Sequence, residues 1–416
     1  MIGVYKITAL NLLARSAHLL LFLIIGNRFG ATASTDTVLL LQAPLLVVMT
    51  VSTGVTDVIV MPVMHRASLS RSSITLLRKF RFFALLVTVP LAVIAVLAGA
   101  ILSTNATLLM CLILLPMPLF SILSGMHVGI LNSCKMHGRA AIGPLYGGGA
   151  AIPLLIVLPP APETIAVALL VFEVAKYTGL RFHSYSRIKA LESHIKEDKL
   201  LLSWALKGAF YQAIGSFILA MNFMIDVVFA AQLSSGSVSL VEYSNRLWNL
   251  VPLLLIGFVT VAYEHMSRLA AKNELVSSYV HNTALKLGLY ALVLSILASI
   301  ACHPVVEIVY GYGTMGSDER DIFSTLIIFY LIGAAPFLVG QVYVKAHSAM
   351  GHPKVMTVVA FIGIFINILG NILLIPVLGI YGIGLATAVT YLFSAFFLGY
   401  LFSQRAKDYS NNSLVT

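Results

Sequence analysis

Apolar runs alternate with short polar segments along nearly the whole chain of 416 residues. A bilayer core ~30 Å thick is crossed by about 20 helical residues. Twelve runs of that order can be marked, near 7–26, 37–62, 82–102, 106–131, 141–159, 163–182, 203–232, 239–263, 281–302, 322–345, 356–376 and 381–402. The seventh is long enough to tilt or to lie partly in the interface. The pattern predicts an all-α polytopic membrane protein of about 12 transmembrane helices, because backbone polar groups in lipid must be satisfied inside the segment.

The connecting segments alternate in charge. Residues 63–81 carry Arg66, Arg71, Arg78, Lys79 and Arg81 and no acid. Basic residues also outnumber acids in 132–140, 181–200, 346–355 and the C-terminal tail, and 264–280 carries Arg268 and Lys272 beside Glu264 and Glu274. The intervening connections are uncharged, balanced or acidic, as in 303–321 with Glu307, Asp318, Glu319 and Asp321 against Arg320. Every basic segment then falls on one side, which predicts both termini in the cytoplasm. The first span follows a single lysine, Lys6, and reads as an uncleaved signal anchor.

A weak repeat relates the two halves. Lys135-Met136-His137-Gly138-Arg139 leads to a small-residue helix, the pair Pro159-Pro160 and a closing helix; Gly351-His352-Pro353-Lys354 leads to an Asn- and Gly-containing helix, Pro376 and a closing helix. Six spans per half keep both halves in one orientation. The expected architecture is two six-helix lobes, residues 1–200 and 201–416, around a central cavity.

Composition agrees with this class: 59% of residues are hydrophobic and 10% charged, against about a quarter charged in soluble domains. The net charge of +10 sits in the short basic segments, so it reads as membrane orientation and not as a nucleic-acid surface. Cys111, Cys134 and Cys302 are too scattered for a zinc site or a disulfide framework. Gly147, Gly148 and Gly149 lack the context of a phosphate loop and read as close helix packing. No nucleotide-hydrolysis motif, metalloprotease motif or nucleophile constellation is present. The chain therefore reads as a transporter without a cofactor or metal, driven by an ion gradient, the membrane potential or downhill substrate.

Ionisable groups inside spans are costly and mark function by default. The densest stretch is DVVFAAQLSSGSVSLVEYSNRLWNL, Asp226 to Leu250. Glu242 and Arg246 are four apart, in the favourable order for a helical pair. They either satisfy each other or leave Arg246 to an anionic ligand. Asp226 shares a face with Asn222, and Asn367 with Asn371; these polar groups read either as helix glue or as a Na⁺ or proton site. Arg15, mid-way along the first span between Asn11 and His18, is an anion-binding cation or half of an assembly pair. Asp36 opens the second span as an N-cap or as a gate residue. Glu173 and Lys176 neutralise each other.

Four stretches resemble the MviN/MurJ-type lipid II flippases of the multidrug/oligosaccharidyl-lipid/polysaccharide exporter superfamily: residues 13–36, 226–247 with its SGSVS turn, 257–271, and 351–389. The resemblance implies a bacterial inner-membrane flippase that moves an undecaprenyl-diphosphate-linked glycan by alternating access. It also implies that Arg15 and Arg246 hold the diphosphate, while Asp36, at the cavity mouth, and Asp226 and Glu242 gate or couple to Na⁺ or H⁺. Departures from the family pattern include Pro44-Leu45-Leu46-Val47-Val48, where the family has a second-span arginine, and a count of twelve spans, short of the family's extra C-terminal helices. The remaining reading is an ion-coupled cation or drug antiporter on the same scaffold. Partners are then the lipid-linked glycan, membrane lipid and a coupling ion, with the protein a monomer.

Overall fold

The computed structural model describes the backbone of residues 2–67, 73–103, 105–134, 136–191, 199–271, 277–350 and 353–412. Side chains are described over these ranges except at 2–12, 15, 54–55, 57–67, 73–80, 83, 186–191, 199–212, 219, 271, 353 and 406–412. Among the described residues all regular structure is helical. Sixteen helices form twelve rods in the order the sequence predicts.

The first compact unit comprises Met1–Met224. It contains α1 (Ile2–Phe29), α2 (Ala33–Ala67), α3 (Ser73–Leu102), α4 (Leu108–Leu114), α5 (Met117–Ser133), α6 (His137–Ala141), α7 (Gly143–Val157), α8 (Pro162–Leu191) and most of α9 (Lys199–Ala230). Within it α2 packs on α3 and α5, α7 on α1 and α8, and α5 on α8. The glycine run acts as the sequence suggests. A Cβ on Gly147 would lie 2.8 Å from Phe172, and one on Gly148 would lie 2.9 Å from the Ala17 Cβ. Helices can approach this closely only without side chains there.

The second unit, Ile225–Thr416, holds the end of α9, then α10 (Ser237–Trp248), α11 (Leu250–Ala271), α12 (Ser277–Tyr310), α13 (Ser317–Leu331), α14 (Ala334–Ala349), α15 (Pro353–Leu378) and α16 (Tyr381–Asn412). Its central helix is α14, which packs against α11, α12 and α16. Leu338, Val342 and Ala346, spaced by one turn, are completely buried there. By contrast Leu285, Leu289, Leu292, Ile296 and Ile300 on α12 are exposed, as expected of a surface whose solvent is hydrocarbon.

Four rods are broken, and each break has a proline beside it. The α4/α5 break has Pro116, α6/α7 has Pro144, α10/α11 has Pro252 and α13/α14 has Pro336. Proline lacks the N–H that would continue the ladder; at Pro252 the lost acceptor is the Trp248 carbonyl. Proline alone does not decide the matter, because Pro90, Pro153, Pro304 and Pro376 lie inside helices that continue.

Ten of the rods are long and apolar enough, among the described residues, to cross a membrane. The other two are α1, whose described apolar part is Ser16–Phe29, and α8, which carries Glu163, Glu173, Lys176 and Arg181. The internal pair forms as expected, with Lys176 Nζ 2.6 Å from Glu173 Oε2. The three cysteines are free.

Candidate functional site

In the second unit the chain turns through residues 231–236, where the Ser237 amide bonds to the Ser234 carbonyl at 3.1 Å and starts α10. The first two turns of this helix, Ser237 through Ser244, are buried on every side. Val238, Val241 and Trp248 are at most 1% exposed, and Glu242 is 3% exposed. Arg246 lies one turn beyond Glu242 and donates from Nη2 to Glu242 Oε1. The favourable Glu-before-Arg order thus gives a direct ion pair. Trp248 fixes the end of α10. Its ring stacks on Tyr330 at 6.2 Å, meets Phe337 edge-on at 5.8 Å and lies 5.7 Å from Tyr391. Its Nε1 donates to Asn245 Oδ1 at 2.8 Å.

Asp226 lies near the end of α9 and is 4% exposed. Its Oδ1 accepts from the amides of Asn367 and Asn371 at 3.2 and 3.3 Å, and its Oδ2 accepts from the Thr387 hydroxyl at 2.7 Å. Asn371 also donates to Asn367 Oδ1 at 3.2 Å. A buried carboxylate requires such compensation. No Lys or Arg pairs with it among the described residues. Asn222, on the same face of α9 by helical period, has an Oδ1 without a partner among the described residues.

Two helices build the cradle. Asn367 and Asn371 are one turn apart on α15, and Thr387 is on α16. Between the asparagines, Gly370 lets the helices meet: a Cβ there would lie 2.9 Å from the Ala386 Cβ. Gly370→Val is expected to push α16 away, draw Thr387 off Asp226 and cost about 1–3 kcal/mol as overpacking does. A lowered melting temperature of the detergent-solubilised protein checks this.

The two polar groups share a neighbour. Tyr330 on α13 is within electrostatic reach of both Asp226 and Glu242, and its buried hydroxyl lies close enough to the Asp226 carboxylate to interact with it. Because Tyr330 also stacks on Trp248, the cradle and the Arg246 helix lean on one ring.

The sequence-predicted residues fall as follows. Asp226, Glu242 and Arg246 lie in the second unit. Asp36 lies in the first, 8% exposed in the first turn of α2. It is not the N-cap. Thr32 takes that place, its Oγ1 accepting from the Thr35 amide at 3.3 Å and its carbonyl from the Asp36 amide at 2.9 Å. Arg15 belongs to α1, and its side chain lies outside the described residues. His18 packs on Phe22 and Phe172 at 5.2 and 5.0 Å. Thr387, Tyr330 and Trp248 were not singled out by sequence; their only signal is a polar or amphipathic group inside an apolar run. No cluster able to hold a metal through three or more His, Cys, Asp or Glu occurs among the described residues.

Known proteins share this architecture. A structure of the lipid II flippase MurJ in an inward closed conformation superposes with a TM-score of 0.79 at 17% identity, covering 98% of this chain and 90% of that one. An inward-facing multidrug resistance MATE family transporter superposes at 0.77 with 11% identity, covering 98% and 99%. In sequence, the probable lipid II flippase MurJ of Rickettsia prowazekii is 24% identical over 322 residues, which is 73% of this chain and 60% of the relative. That of Helicobacter pylori strain 26695 is 24% identical over 274 residues, covering 64% and 57%. The chain thus matches about 60% of the length of these relatives. The family model of the lipid II flippase MurJ matches residues 25–416, and the chain belongs to that family.

Proposed function

We propose that this multi-pass membrane protein is a flippase. It translocates an undecaprenyl-diphosphate-linked glycan, lipid II or a related lipid-linked oligosaccharide, across the bacterial cytoplasmic membrane by alternating access of two six-helix lobes. Both termini face the cytoplasm. The observation that carries this reading is the family match over residues 25–416.

The polar groups supply the chemistry. Arg246 and Arg15 hold the diphosphate, for which a guanidinium offers paired donors. Glu242 occupies Arg246 in the absence of substrate and yields it to the more highly charged diphosphate. Asp36 gates. Asp226 binds the coupling ion. The carboxylate and the Thr387 hydroxyl supply oxygens suited to a hard cation such as Na⁺, while both asparagine amides turn N–H groups toward the carboxylate. Turning the Asn371 amide by 180° exchanges its Nδ2 for its Oδ1 and presents a further oxygen to the cradle.

Native mass spectrometry of the purified chain with an undecaprenyl-diphosphate glycan tests the reading. Loss of charge-assisted bonds from two arginines should weaken binding by at least about 1,000-fold in Arg15→Ala/Arg246→Ala. Binding indifferent to both arginines rejects it.

A second reading, an ion-coupled cation or drug antiporter, draws on the fold shared with the MATE transporter and on the buried acid at Asp226. Overexpression that raises resistance to cationic dyes, abolished by Asp226→Asn, would select it.

A further inference from the structure

The first unit carries a second basic site, remote in sequence from every residue assigned above. A cavity of about 550 Å³ is lined by Arg139, Thr178, Arg181, Phe182, His183 and Tyr185. Its volume is in the range of small-ligand sites, roughly 300–1,000 Å³. Arg139 comes from α6 and the others from α8, so the fold brings together two of the basic segments read from the sequence, 132–140 and 181–200.

No carboxylate among the described residues compensates its charge. Arg139 and Arg181 are both exposed. Arg181 donates to the Tyr177 hydroxyl at 3.3 Å, and its guanidinium lies 6.0 Å from the Tyr177 ring centre. That contact holds the side chain in place and uses one of its five N–H donors. Two cations share one cavity, an arrangement that an anion relieves.

Apart from Thr178, the rest of the wall is aromatic. Phe182 is 79% exposed and Tyr185 61%. Tyr146 on α7 packs against α8, and its hydroxyl bonds to His183 Nε2 at 2.6 Å. Exposed aromatic rings beside arginines, here in the later part of α8 next to α6, match the membrane interface, where rings sit at headgroup depth and guanidiniums meet phosphates.

We propose that this cavity binds the phosphate headgroup of an anionic phospholipid, with Arg139 and Arg181 on the phosphate and Phe182 and Tyr185 along the glycerol and upper acyl chain. The site is separate from transport and holds whether or not the chain moves a glycan.

The test is native mass spectrometry of the full chain in detergent with phosphatidylglycerol, phosphatidylcholine or inorganic phosphate. Phosphatidylglycerol is expected to bind in preference to phosphatidylcholine, with an affinity that falls roughly 10- to 30-fold in Arg139→Gln/Arg181→Gln. Arg268→Gln, which removes an exposed arginine from the second unit, should leave binding unchanged. Size-exclusion profiles and melting temperatures show that the variants are folded; should the double variant fail there, the single variants replace it. Equal binding in wild type and the Arg139/Arg181 variants overturns the proposal, as does an equal loss in Arg268→Gln. Inorganic phosphate that displaces phosphatidylglycerol at similar concentration overturns the lipid assignment in favour of a soluble anion.

Discussion

Arg246→Ala is expected to abolish glycan translocation, at least about 100-fold by the loss of charge-assisted bonds to a diphosphate, and to destabilise the protein as well. The two effects have different origins. Glu242 is 3% exposed, with Arg246 as its cation. Removing one partner of a buried ion pair costs about 3–5 kcal/mol, because the other charge stays buried alone. Low transport in this variant could therefore report poor folding. Glu242→Gln/Arg246→Gln separates the two, because replacing both charges is often nearly neutral for stability. The double variant is expected to melt close to wild type yet fail to flip a fluorescent lipid-linked glycan in proteoliposomes. Flipping at the wild-type rate would make Glu242–Arg246 a structural pair and remove Arg246 from the substrate site.

Asp226→Asn carries the second large effect. The carboxylate accepts three hydrogen bonds, and the substitution replaces one acceptor oxygen with an NH₂ group that faces other donors. In wild type, sodium chloride is expected to raise the melting temperature above that in choline chloride. Ligand present at 100 times its dissociation constant stabilises by about 2.7 kcal/mol. The variant should lose this shift together with sodium-driven transport. An identical sodium shift in both proteins would exclude Asp226 as the ion site. A wild type that ignores sodium but is driven by an imposed proton gradient would assign the coupling to H⁺.

The twelve rods were legible because span-length hydrophobicity is a strong signal and the alternation of basic segments checks the count. Glu242–Arg246 was legible because helical spacing alone brings the two together. The neighbourhood of Asp226 was only half legible. Its charge stood out in an apolar run, as did the amides of Asn367 and Asn371, but their union with Thr387 depends on how α9, α15 and α16 pack. Helical period pointed instead to Asn222, which shares the face of Asp226 while the donors come from α15 and α16. Tyr330 and Trp248 were silent for a different reason: an aromatic residue in a span is ordinary, and only packing gives it two polar neighbours. The broken rods were hidden because prolines that interrupt helices and prolines that do not look alike in sequence. At Asn249 the side chain bonds back to the Asn245 carbonyl at 2.6 Å, a local contact that composition does not reveal.

The Asp226 cradle also bears on how the protein is made. Its donors lie 141, 145 and 161 residues further along the chain. A ribosome adding about 5–20 residues per second synthesises α9 on the order of ten seconds before α15 and α16 exist. During that interval the helix presents to the insertion machinery a carboxylate whose insertion costs up to about 2.5–3.5 kcal/mol, the figure for mid-bilayer. The nascent second unit thus carries a debt until its last two helices enter the membrane, and a chain cut short before α15 leaves a charged span for quality control to recognise.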